Sequence, residues 1–191
     1  MSDPVWGIFL PAAQILADSI DAISGILAPF AVPVGERVAA LMAFVCFGCV
    51  LLAAARMDRR TALVYDLYWW IALALAGGLL WWRLLSESLS PSPYEIRILL
   101  LYLVMQECIL GRSYGKADAH CFCSCGILFV ALGFGPEAYV VHMGLSFVAL
   151  IIREAHARNI RAFRLITPVP FLPVIVPAFF CTLILMSLKG K

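Results

Sequence analysis

The chain has 191 residues, of which 63% are hydrophobic and 14% are charged, and its formal net charge is +2. Soluble domains carry about 25% charged residues, so this composition excludes an ordinary soluble domain and indicates a polytopic membrane protein. A net charge this small gives no reason to expect a nucleic-acid partner. We therefore expect an all-α bundle in a lipid bilayer.

The first 36 residues form a segment of their own. They contain no Lys or Arg and are interrupted by Pro11, Pro29 and Pro33. We predict that 4–31 is an apolar helix lying on the outer membrane interface, with an extra membrane span as the alternative.

The remainder, 37–191, is predicted to be one domain of six transmembrane helices. The first predicted span has 18 apolar residues between Arg37 and Arg56, about the length that crosses the hydrocarbon core. The second carries aromatic residues near both ends, where the two membrane interfaces are expected. The predicted spans are 38–55, 64–82, 96–111, 119–134, 137–152 and 166–188.

The distribution of Lys and Arg predicts the orientation of these spans. Alternating spans leave nine basic residues on one side of the membrane and five on the other. The nine are Arg56, Arg59, Arg60, Arg112, Lys116, Arg153, Arg158, Arg161 and Arg164. Because cytoplasmic loops carry the excess of positive charge, this side is predicted to face the cytoplasm. We expect a multi-pass protein of the inner (plasma) membrane.

Asp58 and Asp118 each lie where an apolar segment meets basic residues. A charge at the edge of the hydrocarbon is unfavourable enough to suggest a function. Two complete predicted spans separate these aspartates, so both return to the cytoplasmic side. If the first and fourth spans are neighbours, the two carboxyl groups can share one proton and activate a water molecule, as in an aspartic peptidase. This chemistry needs no metal and no other cofactor.

Each aspartate also has a structural interpretation. Asp58 is then a helix-end acid balanced by the neighbouring arginines, and Asp118 an acid in a first helical turn, where the helix dipole favours it. Their placement on one predicted side, with Gly115 just before the second, favours a shared site.

The motifs around the two aspartates resemble those of type IV prepilin peptidases and archaeal preflagellin peptidases. The sequence GKAD resembles the G-x-G-D motif of that family and consists of Gly115, Lys116, Ala117 and Asp118. The segment from Asp58 to Asp66 resembles the first-aspartate motif of the family, and the proline-rich 168–173 resembles its final segment. The similarity covers about 38–188.

The resemblance implies a membrane aspartic endopeptidase in which Asp58 and Asp118 are catalytic. The implied substrate is a type IV pilin-like precursor, from which the leader is cleaved at the cytoplasmic face during pilus assembly or protein secretion. The motif residues are implied to support the site. Asp66, eight positions after Asp58, is a second supporting acid or an alternative to Asp58 itself. Ala117 stands where the family has its second glycine, and the paired C-x-x-C region of many bacterial members has no counterpart in 1–36, which leaves N-methyltransferase activity open.

Four further residues are predicted to line a substrate groove. Gln106 and Glu107 lie within the third predicted span, and Pro170 and Pro173 interrupt the sixth. An acid inside a span is a candidate functional residue. The alternatives are that Glu107 reaches toward Arg112 or Lys116 and that the prolines merely kink a packing helix.

The seven cysteines lie in apolar runs without a polar ligand set, so we predict packing residues and no metal site. A function from another class is a small transporter or structural membrane subunit. In it, Asp118, Glu107 and the interrupted sixth span would form a proton or solute path.

Overall fold

The computed structural model describes residues 34–61, 64–85, 90–160 and 171–189. Within these ranges the chain forms helices and no strand, as the composition predicts. The predicted N-terminal helix 4–31 and Pro170 lie outside the described residues. One compact unit comprises Met42–Lys191 and contains the sites discussed below; of the other, Met1–Leu41, the described part is the start of the first helix.

The helices follow the order of the predicted spans. They are α1 Val34–Thr61, α2 Asp66–Leu85, α3 Pro93–Val104, a π-helical turn at Met105–Leu110, α4 Gly111–Tyr114, α5 Lys116–Ala131, α6 Glu137–Ile160 and α7 Leu172–Lys189. Those long and apolar enough to cross a membrane include Leu41–Thr61, Asp66–Leu85, Glu137–His156 and Leu172–Lys189. Helix α5 has 16 residues, a length of about 24 Å, so it is shorter than a typical hydrocarbon core.

Helix α1 is longer than the predicted span. The apolar run ends at 55, but the helix continues to Thr61 and carries Asp58 in its last turn. Arginine is a good helix former, and Arg59 and Arg60 are favourable at the negative end of the helix dipole. Asp58 therefore has a helical backbone and does not lie in a loop.

Helix α3 begins at a capping box. The backbone N–H of Glu95 donates to Ser92 Oγ at 3.2 Å, and the N–H of Ser92 donates to the Glu95 carboxylate at 2.7 Å. Pro93 follows the cap in the first turn, where its missing N–H is not needed. These contacts fix the start of the helix outside the apolar region.

Helix α5 forms the centre of the bundle and contacts α2, α3, α6 and α7. Almost every side chain from Ala119 to Leu132 is buried. Gly126 permits the close approach of α3, since a Cβ atom there would lie 2.7 Å from the ring of Tyr102. Helix α1 joins the bundle through Phe47, whose ring centroid is 5.8 Å from that of Phe179 in α7.

Contacts between helix ends establish their relative directions. The ring of Trp69, early in α2, lies 6.3 Å from that of His120, early in α5. Arg83, late in α2, donates to the carbonyl of Val130, late in α5. These two helices are therefore parallel. Helices α6 and α7 are antiparallel, because Glu137 at the start of α6 lies 3.8 Å from the ammonium group of Lys189 at the end of α7.

Candidate active site

Asp58 lies where the end of α1 meets two other helices. The backbone N–H of Leu172, at the start of α7, donates a hydrogen bond to its carboxyl group, and Arg153 of α6 attracts that group electrostatically. Within the described residues, its second oxygen, Oδ2, is buried and has no hydrogen-bond partner. A buried carboxyl oxygen without a partner is unfavourable, so this atom is available for a ligand or a proton.

Asp118 lies in the first turn of α5, before the fourth predicted span, and is half-buried. Burial and the neighbouring Asp58 carboxylate raise the pKa of Asp118 to about 7. Burial disfavours the charged form of an acid, and a nearby like charge disfavours it further. The structure thus brings two carboxyl groups, 60 positions apart in the sequence, close enough that the charge of Asp58 raises the pKa of Asp118. We call this pair the dyad.

Gly115 orients the start of α5 and the dyad residue that follows. Its backbone φ of 118° is a value that residues with a Cβ atom rarely adopt. A Cβ atom at Gly115 would lie 3.5 Å from Asp118 Oδ2, so the carboxyl group packs against this glycine. Lys116 is exposed, whereas Ala117 is half-buried inside the helix. A helical position tolerates a methyl group, so alanine in place of the motif's second glycine is compatible with this backbone.

Asp66, the remaining acid of the predicted site, is the first residue of α2 and is exposed. An acid in this position interacts favourably with the helix dipole. The structure therefore gives Asp66 a position at the start of a helix, where its charge is accessible to solvent.

Glu107 belongs to a polar cluster that the sequence did not indicate. Its carboxylate lies 2.7 Å from His120 Nδ1 and accepts a hydrogen bond from the Cys123 thiol at 3.4 Å. The π-helical turn presents Glu107 toward α5, and such turns are frequent at functional sites. Because Glu107 and His120 lie on different helices, only the tertiary fold reveals this pair. His120 is two positions from Asp118, so the cluster contacts the same first turns of α5.

The remaining predicted groove residues occupy different surroundings. Gln106 is fully buried, and its amide donates to the sulfur of Met143 in α6 at 3.2 Å. Pro173 is half-buried in the first turn of α7 and lines a cleft that also contains Arg56. Gln106 thus lies inside a helix interface, whereas Pro173 lies at a cavity wall.

The cysteines of the chain are free thiols. Within the described ranges, no group of three or more His, Cys, Asp or Glu side chains is arranged to hold a metal ion.

No family model matches the chain, and no curated protein or solved structure matches it.

Proposed function

We propose that the protein is a membrane aspartic endopeptidase whose catalytic groups are Asp58 and Asp118. The observation that carries this proposal is the electrostatic coupling of two half-buried carboxyl groups at one end of the helices. Within the described residues Oδ2 of Asp58 has no hydrogen-bond partner, and the pKa of Asp118 is raised; both properties favour a shared proton. Perturbed acids of this kind are typical of active sites.

The proposed mechanism is general acid–base catalysis by the pair. Near neutral pH the dyad holds one proton. The ionised carboxylate takes a proton from a water molecule, and the oxygen of that water bonds to the scissile carbonyl carbon. The protonated carboxyl donates to the carbonyl oxygen, and the dyad later transfers a proton to the nitrogen as the C–N bond breaks. Because the two groups titrate together, these roles belong to the pair and not to either residue alone.

The proposed membrane arrangement has six spans. The continuous helical path of α3, the π-helical turn and α4 would be the third span, and the short, buried α5 the fourth. The distribution of Lys and Arg supports a cytoplasmic position for the dyad in the inner membrane. The short α5 is surrounded by other helices, and this burial is compatible with a length below the bilayer thickness.

The proposed substrate is a type IV pilin-like precursor. Its apolar helix would remain in the bilayer while its charged leader extends into the cytoplasm. The junction between the two parts would then lie at the depth of the dyad. The resemblance of the Asp58 and Asp118 segments to prepilin peptidases supports this substrate class.

The test is leader removal in proteoliposomes that contain the purified protein and a pilin-like precursor, followed by mass spectrometry. Asp58→Asn and Asp118→Asn keep the size of the side chain but remove its acid–base function. The matched control is Glu137→Gln, an exposed acid at the opposite end of α6. Cleavage at the full rate by either asparagine variant contradicts the proposal. Proton flux through the same liposomes without any cleavage favours a transport function instead.

A further inference from the structure

A cleft of about 480 Å³ lies between the last turns of α1 and the first turns of α7. Its volume is within the range of small-molecule binding sites. Its wall includes the side chains of Leu52, Arg56, Arg59, Arg60, Pro173 and Val176. The α1 residues are spaced at intervals of three and four, so they share one face of that helix. Asp58 is not part of the wall, and the cleft is a site distinct from the dyad.

The polarity of this cleft changes along the helix axes. Helix α1 runs toward the dyad and α7 runs away from it, because Asp58 and the N–H of Leu172 meet there. Arg56, Arg59 and Arg60 therefore lie toward the helix ends, whereas Leu52 and Val176 lie deeper. Since Leu41–Thr61 is a membrane-length helix, the charged part of the cleft is near the interface and the apolar part is in the hydrocarbon.

We propose that this cleft binds an anionic phospholipid, with the phosphate on the arginines and an acyl chain along Leu52 and Val176. The guanidinium group has a fork of donors that matches phosphate oxygens. Basic pockets between membrane helices are the sites where anionic headgroups bind. The amphipathic gradient matches a lipid, which carries its charge and its apolar chain in this same order.

Charge argues against the leader of the proposed substrate as the occupant of this cleft. A leader with a net positive charge would be repelled by the three arginines, so such a leader does not fit the cleft. A lipid site does not depend on proteolysis, and the two proposals can fail independently.

The experiment is native mass spectrometry of the full-length protein with phosphatidylglycerol or phosphatidylcholine. We expect the wild type to prefer phosphatidylglycerol, and Arg56→Gln or Arg59→Gln each to weaken its binding by about fivefold. Arg112→Gln is the matched control, because this exposed arginine of α4 is not part of the cleft wall. Circular dichroism verifies that each variant is folded.

Further arms distinguish the source of the phosphate. Leu52→Asn, at an exposed position, is expected to weaken the binding of phosphatidylglycerol but not that of glycerophosphate, because only the lipid has an acyl chain. Arg56→Lys should retain most of the binding. An equal loss in Arg112→Gln would show a general surface-charge effect and overturn the proposal. Displacement of the lipid by millimolar inorganic phosphate, or equal binding of phosphatidylcholine, would overturn it as well.

Discussion

The charged groups at the two ends of the helices differ in whether hydrogen bonds and ion pairs stabilise them. At the end that carries Arg83, the guanidinium donates to the Val130 carbonyl and is attracted by Glu95, which also forms the capping box of α3. Glu137 and Lys189 form an ion pair there. At the end that carries the dyad, Asp58 has a buried oxygen without a hydrogen-bond partner among the described residues, and Asp118 lies beside a like charge. We call these the Arg83 end and the dyad end.

This difference separates stabilising contacts from contacts that have an energetic cost. A buried polar group without a partner costs about 1–3 kcal/mol, and a neighbouring like charge adds to that cost. The Arg83 end satisfies its charges through hydrogen bonds and ion pairs. The dyad end keeps an unfavourable arrangement that replacing either aspartate would relieve. Such an arrangement is expected where a protein uses acids for chemistry.

The largest effect is expected from replacing either aspartate of the dyad, which should slow cleavage without unfolding the protein. Asp58→Asn and Asp118→Asn should each slow leader cleavage by about 10²–10⁴-fold, because general acid–base catalysis contributes that much. The thermal unfolding temperature in detergent should stay the same or rise, since the substitution removes a repulsive charge. A fall in that temperature large enough to unfold the variant under the assay conditions would indicate a structural role for the aspartates.

The next effect is the pH dependence of cleavage. If the active dyad holds one proton, the rate should follow a bell-shaped curve with its basic limb near pH 7, where Asp118 titrates. Above that limb the rate should fall by about tenfold per pH unit. Initial rates measured from pH 4 to pH 9 test this expectation, and a flat profile through pH 8 would contradict a shared proton.

The stability of the fold should also depend on pH through Asp118. Its pKa is raised from 3.8 to about 7, so between these values the folded protein holds a proton that the unfolded chain has released. The folded state therefore loses stability as pH rises through this window and shows no further change from this group above it. Asp118→Asn should flatten the dependence, as measured by thermal unfolding at several pH values. An unchanged slope would contradict the raised pKa.

A substitution at the Arg83 end should have the opposite pattern. Arg83→Gln shortens a buried side chain that donates to Val130, and the expected loss of stability is about 1–3 kcal/mol. Thermal unfolding measures the loss, and cleavage by the remaining folded protein should be near normal. Arg97→Gln, at an exposed position of α3, is the control. Loss of cleavage in a stable Arg83→Gln protein would show that the two ends are coupled.

Two smaller effects sharpen the description of the dyad end. Gly115→Ala places a Cβ on a residue with positive φ and should destabilise the fold by about 1–3 kcal/mol. Cleavage should fall in the same variant, because the carboxyl of Asp118 packs against this glycine. Ala117→Gly, inside the same helix, is the comparison and should leave the position of Asp118 unchanged.

The smallest expected effect concerns Glu107. Glu107→Gln removes the charge beside His120, and partly exposed pairs contribute about 0.2–1 kcal/mol. Thermal unfolding of the Glu107→Gln variant should show a loss of stability within that range. An unchanged unfolding temperature would contradict a stabilising contribution of this pair.

Much of the local structure followed from the sequence. The apolar runs predicted helices in the right order, and the excess of hydrophobic residues predicted an all-helical protein, which is confirmed for the described residues. The prediction ended the first span at 55 because it relied on hydropathy. Helix propensity carries α1 through the arginines to Thr61, and that extension places Asp58 in a rigid helical turn.

Other features have no local signal. The π-helical turn directs Gln106 to Met143 and Glu107 to His120, although the two residues are adjacent in the chain. The cleft between α1 and α7 depends on which helices are neighbours. The sequence predicted Pro173 as a groove residue but did not indicate that α1 forms the opposite wall. Hydropathy cannot distinguish these arrangements, because most faces of membrane helices are apolar.

The sequence by itself determined that the chain forms apolar helices and that two aspartates stand at their ends, because hydropathy and charge are properties of short segments. Only the tertiary structure brought Asp58 and Asp118 together and surrounded α5 with other helices. It also left one carboxyl oxygen without a partner in the part of the chain that the structure describes. These features depend on packing between residues that are distant in the chain, where shape and close contact decide which helices become neighbours.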